Sequence, residues 1–102
     1  MTNMAMLVGR LTENPTLEDG KETITLAVPR AYKNEDGIYE TDFIPVRLWG
    51  AIAKNVCEYV KKGDLVGVKG RMQCQDNNLI VVAEKVSFLS SRSEQINKEM
   101  EN

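Results

Sequence analysis

The chain has 102 residues, of which 42% are hydrophobic, and a formal net charge of −2. This size supports one compact domain, and the missing basic surplus counts against a nucleic-acid binder that relies on overall charge. No apolar run is long enough to span a bilayer, and the N-terminus does not resemble a secretory signal. We therefore expect a cytoplasmic protein without membrane contact, associated with the nucleoid if it binds DNA.

The sequence contains no histidine and only two cysteines, Cys57 and Cys74, which are far apart. This excludes the usual zinc-binding patterns, and no metal or other cofactor is expected. We expect both thiols to be buried and reduced, with a disulfide between them as the alternative. No nucleophile–base pair or phosphate-binding glycine motif is present in the sequence, so we do not expect an enzyme.

Three extended segments are predicted in the first half of the chain. The first covers about residues 4–12, with Gly9 at a bend or bulge. The second covers residues 23–28, where aliphatic and smaller, mostly polar side chains alternate. After a polar loop tip at residues 34–37, a third segment runs over residues 38–49, so the second and third segments form a hairpin.

One helix is predicted over residues 51–60, where the spacing of apolar residues changes. Its apolar face is formed by Ile52, Val56, Tyr59 and Val60. Gly63 is expected just after the C-terminus of the helix, with Lys61 and Lys62 near the negative end of the helix dipole. This position explains both lysines without any role in binding.

Two further strands are predicted over residues 65–74 and 79–88, joined by a turn at residues 76–78. Five strands with one helix between the third and fourth is the element order of the OB-fold, a five-stranded Greek-key barrel. We therefore predict a mainly β OB-fold domain over residues 1–89. Residues 90–102 are polar and are predicted to form a short C-terminal tail that frays or forms a weak helix.

The third strand carries the strongest functional signal. Because strand side chains alternate, Phe43, Arg47 and Trp49 share one face. The opposite face is aliphatic, as a barrel interior requires, with Ile44, Val46 and Leu48. Aromatic rings stack on unpaired bases and a guanidinium pairs with phosphate, so this face is typical of a single-strand binder. Packing of Phe43 and Trp49 against a second sheet or another subunit is the alternative.

Other candidate binding residues flank this face. Lys69 and Arg71 point outward from the fourth strand, where basic residues can also serve to block a sheet edge. The inward positions of that strand are predicted to be Val66, Val68, Met72 and Cys74. Three more candidates flank the hairpin loop: Arg30, Tyr32 and Lys33. Tyr32 reaches the binding face only if a bulge near Pro29 shifts the register.

Four acidic residues lie close to the predicted binding face: Glu35, Asp36, Glu40 and Asp42. Carboxylates at these positions repel phosphate. We therefore expect binding that is weaker or more sensitive to salt than binding by a purely basic groove.

Six segments in the right order resemble the bacterial single-stranded DNA-binding protein family. They are LVGRLT (residues 7–12), ITLA (24–27), TDF (41–43), LWG (48–50), EYVKKG (58–63) and VGVKGR (66–71). The resemblance implies an OB-fold homotetramer that wraps single-stranded DNA without sequence preference and protects it during replication, recombination or repair. It also implies base stacking at Tyr32, Phe43 and Trp49, and phosphate contacts at Lys33, Lys61 and Lys62.

The chain departs from this family at two places. The segment after the fourth strand, residues 73–78, is short and has no aromatic or basic residue, so one stacking position is missing. Family members also end in an acidic tip that recruits repair and replication enzymes. The present sequence ends without such a tip, so tail-mediated recruitment is not expected.

Two alternatives stay open at this point. The first is a dimeric OB-fold accessory protein of replication restart, similar to primosomal replication protein N, which would also bind single strands. The second is a protein-interaction module that has kept the fold and lost the nucleic acid. The acidic balance favours this module, whereas Phe43, Arg47 and Trp49 count against it.

Overall fold

The fold is that of a computed structural model, which describes residues 1–18 and 21–92. Its elements are β1 (Ala5–Leu11), β2 (Lys21–Lys33), β3 (Tyr39–Trp49), α1 (Gly50–Tyr59), β4 (Leu65–Gln75) and β5 (Asn78–Ser90). The strands close into a barrel in the order β1-β2-β3-β5-β4. Neighbouring strands are antiparallel except β3 and β5, which run parallel.

A five-stranded closed barrel with its helix between β3 and β4 is the predicted OB-fold, and the prediction is confirmed. β5 ends at Ser90, which is the first residue of the predicted tail. Residues 93–102 of that tail lie outside the described residues.

Aliphatic side chains at alternating strand positions fill the barrel. Val46 and Leu48 on β3 are fully buried, and Leu26 on β2 is buried where it pairs with Ile44. The same core includes Leu11, Ile24, Val66, Val68 and Val81. Each large apolar side chain removed from water contributes about 1.5–3 kcal/mol, so this inward pattern fixes which face of β3 points outward.

The helix differs from its prediction in one face residue and in how it ends. Ala53 and Val56 are buried, but Tyr59, predicted on the apolar face, is 68% exposed. The helix stops at Tyr59 because Val60 adopts extended backbone, with φ −109° and ψ 137°, and enters the core. Gly63 therefore lies in the following turn, at φ +88°, and does not cap the helix.

Two glycines allow backbones to approach closely. Gly9 lies within a regular β1–β4 ladder, not at a bulge, and a Cβ there would lie 2.7 Å from the carbonyl oxygen of Ala27. A Cβ on Gly70 would overlap the carbonyl oxygen of Val82, beside the irregularity where Glu84 is left unpaired between β4 and β5. Both positions exclude a larger side chain for steric reasons.

The β4–β5 hairpin reaches past the barrel. Its two-residue turn has positive φ at Asp76 (51°) and Asn77 (66°), the geometry of a tight hairpin turn. Cys74 and its partner Leu79 have inward strand positions but are exposed, because no barrel wall lies beneath them. The prediction that Cys74 is buried is therefore wrong.

The two cysteines are both free thiols. Cys57, on α1, is half-buried, which is less than the full burial predicted. Burial raises the pKa of the Cys57 thiol, and the negative charge of Glu22 adds to this effect.

Candidate nucleic-acid interface

Phe43, Arg47 and Trp49 lie on the outer side of β3 and are called the aromatic face below. The side chains between them, Val46 and Leu48, are buried in the barrel, while Phe43 is 65% exposed and Trp49 is 43% exposed. Large rings with so much accessible surface have no role in filling the core. They leave flat apolar surface exposed on the outside of the barrel.

Arg47 is held in place at the centre of this face. Its guanidinium carbon lies 4.3 Å from the centroid of the Trp49 ring, within cation–π range. Its Nη1 also donates a hydrogen bond of 2.6 Å to Oε1 of Gln75, which comes from the end of β4. Residues 73–78 of the β4–β5 hairpin, which include no aromatic residue, thus supply the Gln75 amide that orients Arg47.

A row of paired residues connects the aromatic face to β4. Arg47 pairs with Val82 on β5, and Val82 pairs with Arg71 on β4. Paired residues point to the same side of a sheet, so Arg47 and Arg71 are outward neighbours two strands apart, a separation of about 9–10 Å. Arg71 also donates to Gln73 at 3.2 Å and lies 3.9 Å from a carboxylate oxygen of Glu84.

Lys69 lies two positions before Arg71 on the same outward side of β4. It pairs with Lys85 on β5, a residue that the sequence analysis did not select. Strand alternation alone could not place Lys85, because the irregularity at Glu84 interrupts the β5 pattern. Two lysines opposite each other, next to Arg71, give this part of the sheet a local positive charge despite the negative total.

Arg30 points away from the aromatic face. Its guanidinium donates to Asp42 at 2.9 Å and to Glu40 at 2.8 Å. Asp42 pairs in the ladder with Val28, which has an inward strand position, so Asp42 lies on the side opposite the aromatic face. The hydrogen bond from Arg30 lowers the pKa of Asp42, and the same bond raises the pKa of Arg30. Two of the four carboxylates expected to repel phosphate are therefore paired with Arg30 on the other side of the hairpin.

The register of the β2–β3 hairpin shifts near Pro29, where the sequence analysis required a bulge. Pro29 pairs with Thr41 and Lys33 pairs with Tyr39. The chain therefore advances four residues on β2 where it advances only two on β3. Because the shift is an even number of residues, Lys33 returns to the side of the aromatic face. Tyr32 lies within the irregular segment and is 65% exposed.

Lys61 and Lys62 lie in the turn after α1, and both are exposed. The backbone N–H of Lys61 donates to Oδ2 of the buried Asp64 at 2.9 Å, and that of Lys62 donates to Asn14 at 2.8 Å. These bonds fix the turn through its backbone. The ten-residue α1 places the turn about 15 Å from Trp49 at the other end of the helix.

Tyr39 is an exposed ring that the sequence analysis did not select. It has the same parity as Phe43 and Trp49, it is 55% exposed, and the Lys33 ammonium lies 5.7 Å from its centroid. The signal was present in the sequence as strand parity. It was missed because Tyr39 stands at the end of the strand, beside the loop.

Within residues 1–18 and 21–92, no three His, Cys, Asp or Glu side chains are grouped so that they could hold a metal ion. Among the helical segments of those residues, none has the length and apolar character needed to cross a membrane.

The barrel and its outer face define a class of protein: an OB-fold with exposed aromatic rings and cations on one side of the sheet. The family model of the single-strand binding protein family matches residues 2–89. This chain belongs to the single-strand binding protein family, and the resemblance noted from its sequence is confirmed.

Curated relatives are similar over most of the chain. Single-stranded DNA-binding protein 1 of Clostridium acetobutylicum is 41% identical, over 92% of this chain and 99% of that protein. The single-stranded DNA-binding protein of Bacillus cereus is 43% identical over 91% of this chain. The chain covers 63% of the Bacillus cereus protein and 61% of its Bacillus anthracis counterpart, so those relatives are longer.

A solved structure has the same fold. The crystal structure of the small single-stranded DNA-binding protein from Streptomyces coelicolor superposes with a TM-score of 0.71, covering 87% of this chain and 95% of that one. At 21% identity this likeness concerns the fold, and it agrees with the barrel described above.

Proposed function

We propose that this protein binds single-stranded DNA without sequence preference and protects it during replication, recombination or repair. The observation that carries the proposal is the aromatic face, in which the exposed rings of Phe43 and Trp49 flank an arginine fixed against the indole. Membership of the single-strand binding protein family supports it. The proposed role is binding alone, with no catalysed reaction.

Base stacking supplies the sequence-independent part of the affinity. Every base has a flat π surface, and stacking on an aromatic side chain contributes about 1–3 kcal/mol per base. Phe43 and Trp49 are six residues apart on β3, so their rings lie about 20 Å apart along the strand. A strand of DNA following β3 therefore meets two separate stacking positions, with Arg47 between them.

Cations around the face are proposed to contact phosphate. Lys69 and Arg71 extend the positive surface across β5, and Lys33 extends it towards the hairpin tip. Lys61 and Lys62 are proposed as more distant contacts, for DNA that continues past α1. Releasing counterions from these phosphates makes binding dependent on salt.

For Arg30 and Tyr32, the geometry supports a DNA contact less directly than it does for the other proposed residues. Arg30 must leave Asp42 and Glu40 before it can pair with phosphate, so its contribution is the smallest of the cations. Tyr32 is exposed but lies in the irregular part of β2, where the ladder does not fix its side. We retain both as proposed contacts of the DNA where it passes the hairpin.

We further propose a homo-oligomer, with a tetramer preferred over a dimer. The outer side of β1 exposes Met6 and Val8 next to Leu89, and these residues line a groove of about 330 Å³ together with Lys69 and Lys85. Lys69 contacts phosphate only if association leaves its ammonium accessible. Adjacent exposed apolar side chains of this kind mark association surfaces. Sedimentation equilibrium measures the state directly, and Met6→Lys is expected to shift it towards monomer.

Fluorescence titration tests the DNA-binding proposal. Trp49 is the single tryptophan of the chain, so poly(dT) is expected to quench the emission as bases stack on it, and added salt should restore it. A flat titration at low salt, together with no gel shift, would exclude DNA binding. That result would favour the protein-interaction module, for which the acidic total charge is the supporting observation. The proposed location is the cytoplasm, with the nucleoid DNA.

A further inference from the structure

We propose that Tyr39 is an additional base-stacking position, which extends the DNA path beyond Phe43 to the tip of the β2–β3 hairpin. The inference rests on the proposed function and adds a binding residue to the same site. The alternation of residues 43–49, which predicts the aromatic face, does not include Tyr39, because Tyr39 lies before that segment.

The register places Tyr39 on the side of the aromatic face. Residues 39, 41 and 43 all have outward positions on β3. Their partners in the ladder on β2 are Lys33, Pro29 and Ala27, in that order. Tyr39 and Phe43 are four positions apart, so the two rings lie about 13 Å apart along β3. Tyr39, Phe43 and Trp49 therefore form one line of exposed rings on a single strand.

The ring of Tyr39 is available to a ligand. It is 55% exposed, which is comparable to Trp49, and it stands where the hairpin has left the barrel. The Lys33 ammonium, 5.7 Å from the ring centroid, is positioned to contact the phosphate of a nucleotide whose base stacks on Tyr39. The Lys33 ammonium lies over the Tyr39 ring, as the Arg47 guanidinium lies over the ring of Trp49.

The turn that carries Tyr39 is well ordered by hydrogen bonds. Oδ1 of Asn34 accepts bonds of 2.9 Å from the backbone N–H groups of Asp36 and Ile38. The backbone N–H of Asn34 donates to the carbonyl of Ile38 at 2.8 Å, and Gly37 takes the positive φ that closes the loop. Backbone already ordered in this way loses little conformational entropy when a base stacks on the ring of Tyr39.

The local charge favours stacking over phosphate binding at this place. Glu35 and Asp36 are exposed in the tip and repel phosphate, whereas a neutral ring still attracts a base. Glu40, next to Tyr39, is bonded to Arg30 and Asn34 on the other side of the hairpin. The tip is thus suited to hold a base with its phosphate directed towards Lys33.

The test compares Tyr39→Ala with Ile38→Ala in binding to poly(dT), followed by Trp49 fluorescence. Ile38 is a matched control because it is equally exposed, adjacent and of opposite parity. Tyr39→Ala is expected to weaken binding roughly 5- to 150-fold, the range for one stacked base. Tyr39→Phe should bind like the unmodified protein, because stacking needs the ring and not the hydroxyl.

Two further readouts separate stacking from indirect effects. Lys33→Met should reduce the slope of log affinity against log salt by about 0.7, the value for one lost phosphate contact on a single strand, whereas Tyr39→Ala should leave the slope unchanged. On oligo(dT) too short to reach from Trp49 to the tip, Tyr39→Ala should have no effect.

Each possible result decides the question. If Tyr39→Ala binds as tightly as Ile38→Ala on long poly(dT) while Phe43→Ala binds weakly, the role of Tyr39 is disproved and the proposed function stands. If the unmodified protein neither quenches nor shifts the DNA in a gel, both proposals are disproved. A salt slope reduced by Tyr39→Ala would show that the residue only positions Lys33, which also contradicts stacking.

Discussion

The guanidinium of Arg47 lies 4.3 Å from the ring centroid of Trp49, and Gln75 holds it there through a hydrogen bond of 2.6 Å. A cation placed over an indole ring in this way blocks part of the ring and at the same time presents charge beside it. The proposed function therefore treats Arg47 and Trp49 as one unit, in which the arginine would orient a phosphate next to a base stacked on the tryptophan.

Replacing Arg47 with Lys tests this unit. The charge is retained but the planar stack is lost, so single-stranded DNA affinity should fall by about 0.5–1 kcal/mol with little change in salt slope. Arg71→Ala is the comparison, since loss of a phosphate contact should reduce the slope by about 0.7. Fluorescence anisotropy of a labelled oligonucleotide across a salt series measures both. A change of slope in Arg47→Lys would contradict the stacked arrangement.

Trp49→Ala is expected to weaken binding by about 1–3 kcal/mol, equally for oligonucleotides of different sequence, because stacking does not read base edges. Anisotropy is again the measurement, since the fluorescent residue itself is removed. Tyr59→Ala is a matched control: it also deletes a strongly exposed ring, but at the far end of α1. An equal loss in Tyr59→Ala, or a strong preference for one sequence, would argue against the aromatic face.

Gly70→Ala should destabilise the barrel. A Cβ at Gly70 overlaps the backbone of Val82, which cannot move without disturbing the β4–β5 ladder, and a cost of about 1–3 kcal/mol or more is expected. Gly67→Ala is the control on the same strand, because the nearest atom to its added Cβ is a flexible Leu89 carbon at 3.8 Å. Urea unfolding at one fixed protein concentration should show a lowered midpoint for Gly70→Ala only.

The two thiols should react at different rates. Cys74 is exposed on the β4–β5 hairpin, whereas burial raises the pKa of Cys57 and leaves less of it as thiolate at any given pH. With an aromatic disulfide reagent at about pH 8, Cys74 should react first and Cys57 slowly, gaining rate as the pH rises further. Cys74→Ser should remove the fast phase. A fast phase that survives this substitution would show that Cys57 is accessible.

The order of elements was predictable because hydrophobic period is a local property. Alternation in residues 23–28 and in the segment from Ile44 to Leu48 defined inward positions, which are buried at Ile24, Leu26, Val46 and Leu48 and half-buried at Val28 and Ile44. Predictions of burial were wrong where the tertiary surroundings of a residue differ from those that its local pattern implies. Tyr59 fits the helical spacing but is exposed at the end of the helix, while Val60, also predicted on the apolar face, is buried. Cys74 continues the strand alternation beyond the barrel that would have covered it.

The outer surface was predictable at β3 and less so at the hairpin. From Phe43 to Trp49 the strand pairing is regular, so the alternation of inward and outward side chains is maintained. On β2, the register shift between Pro29 and Lys33 interrupts this alternation. The sequence could not show that Arg30 is bonded to Asp42 and Glu40, since ion pairs depend on which side chains the register brings together. It also left Tyr39 unselected, although its parity matched Phe43.

The sequence by itself determined the OB-fold order, the inward faces of the strands and the alternation that puts Phe43, Arg47 and Trp49 on one side, because these follow from residue periodicity. Only the tertiary structure decided which charges are available: it pairs Arg30 on the far side, aligns Arg47 with Arg71 through Val82, and brings Gln75 to Arg47. The physical reason is that periodicity is encoded between near neighbours, whereas charge pairing and ring contacts arise between residues that closure of the barrel brings together.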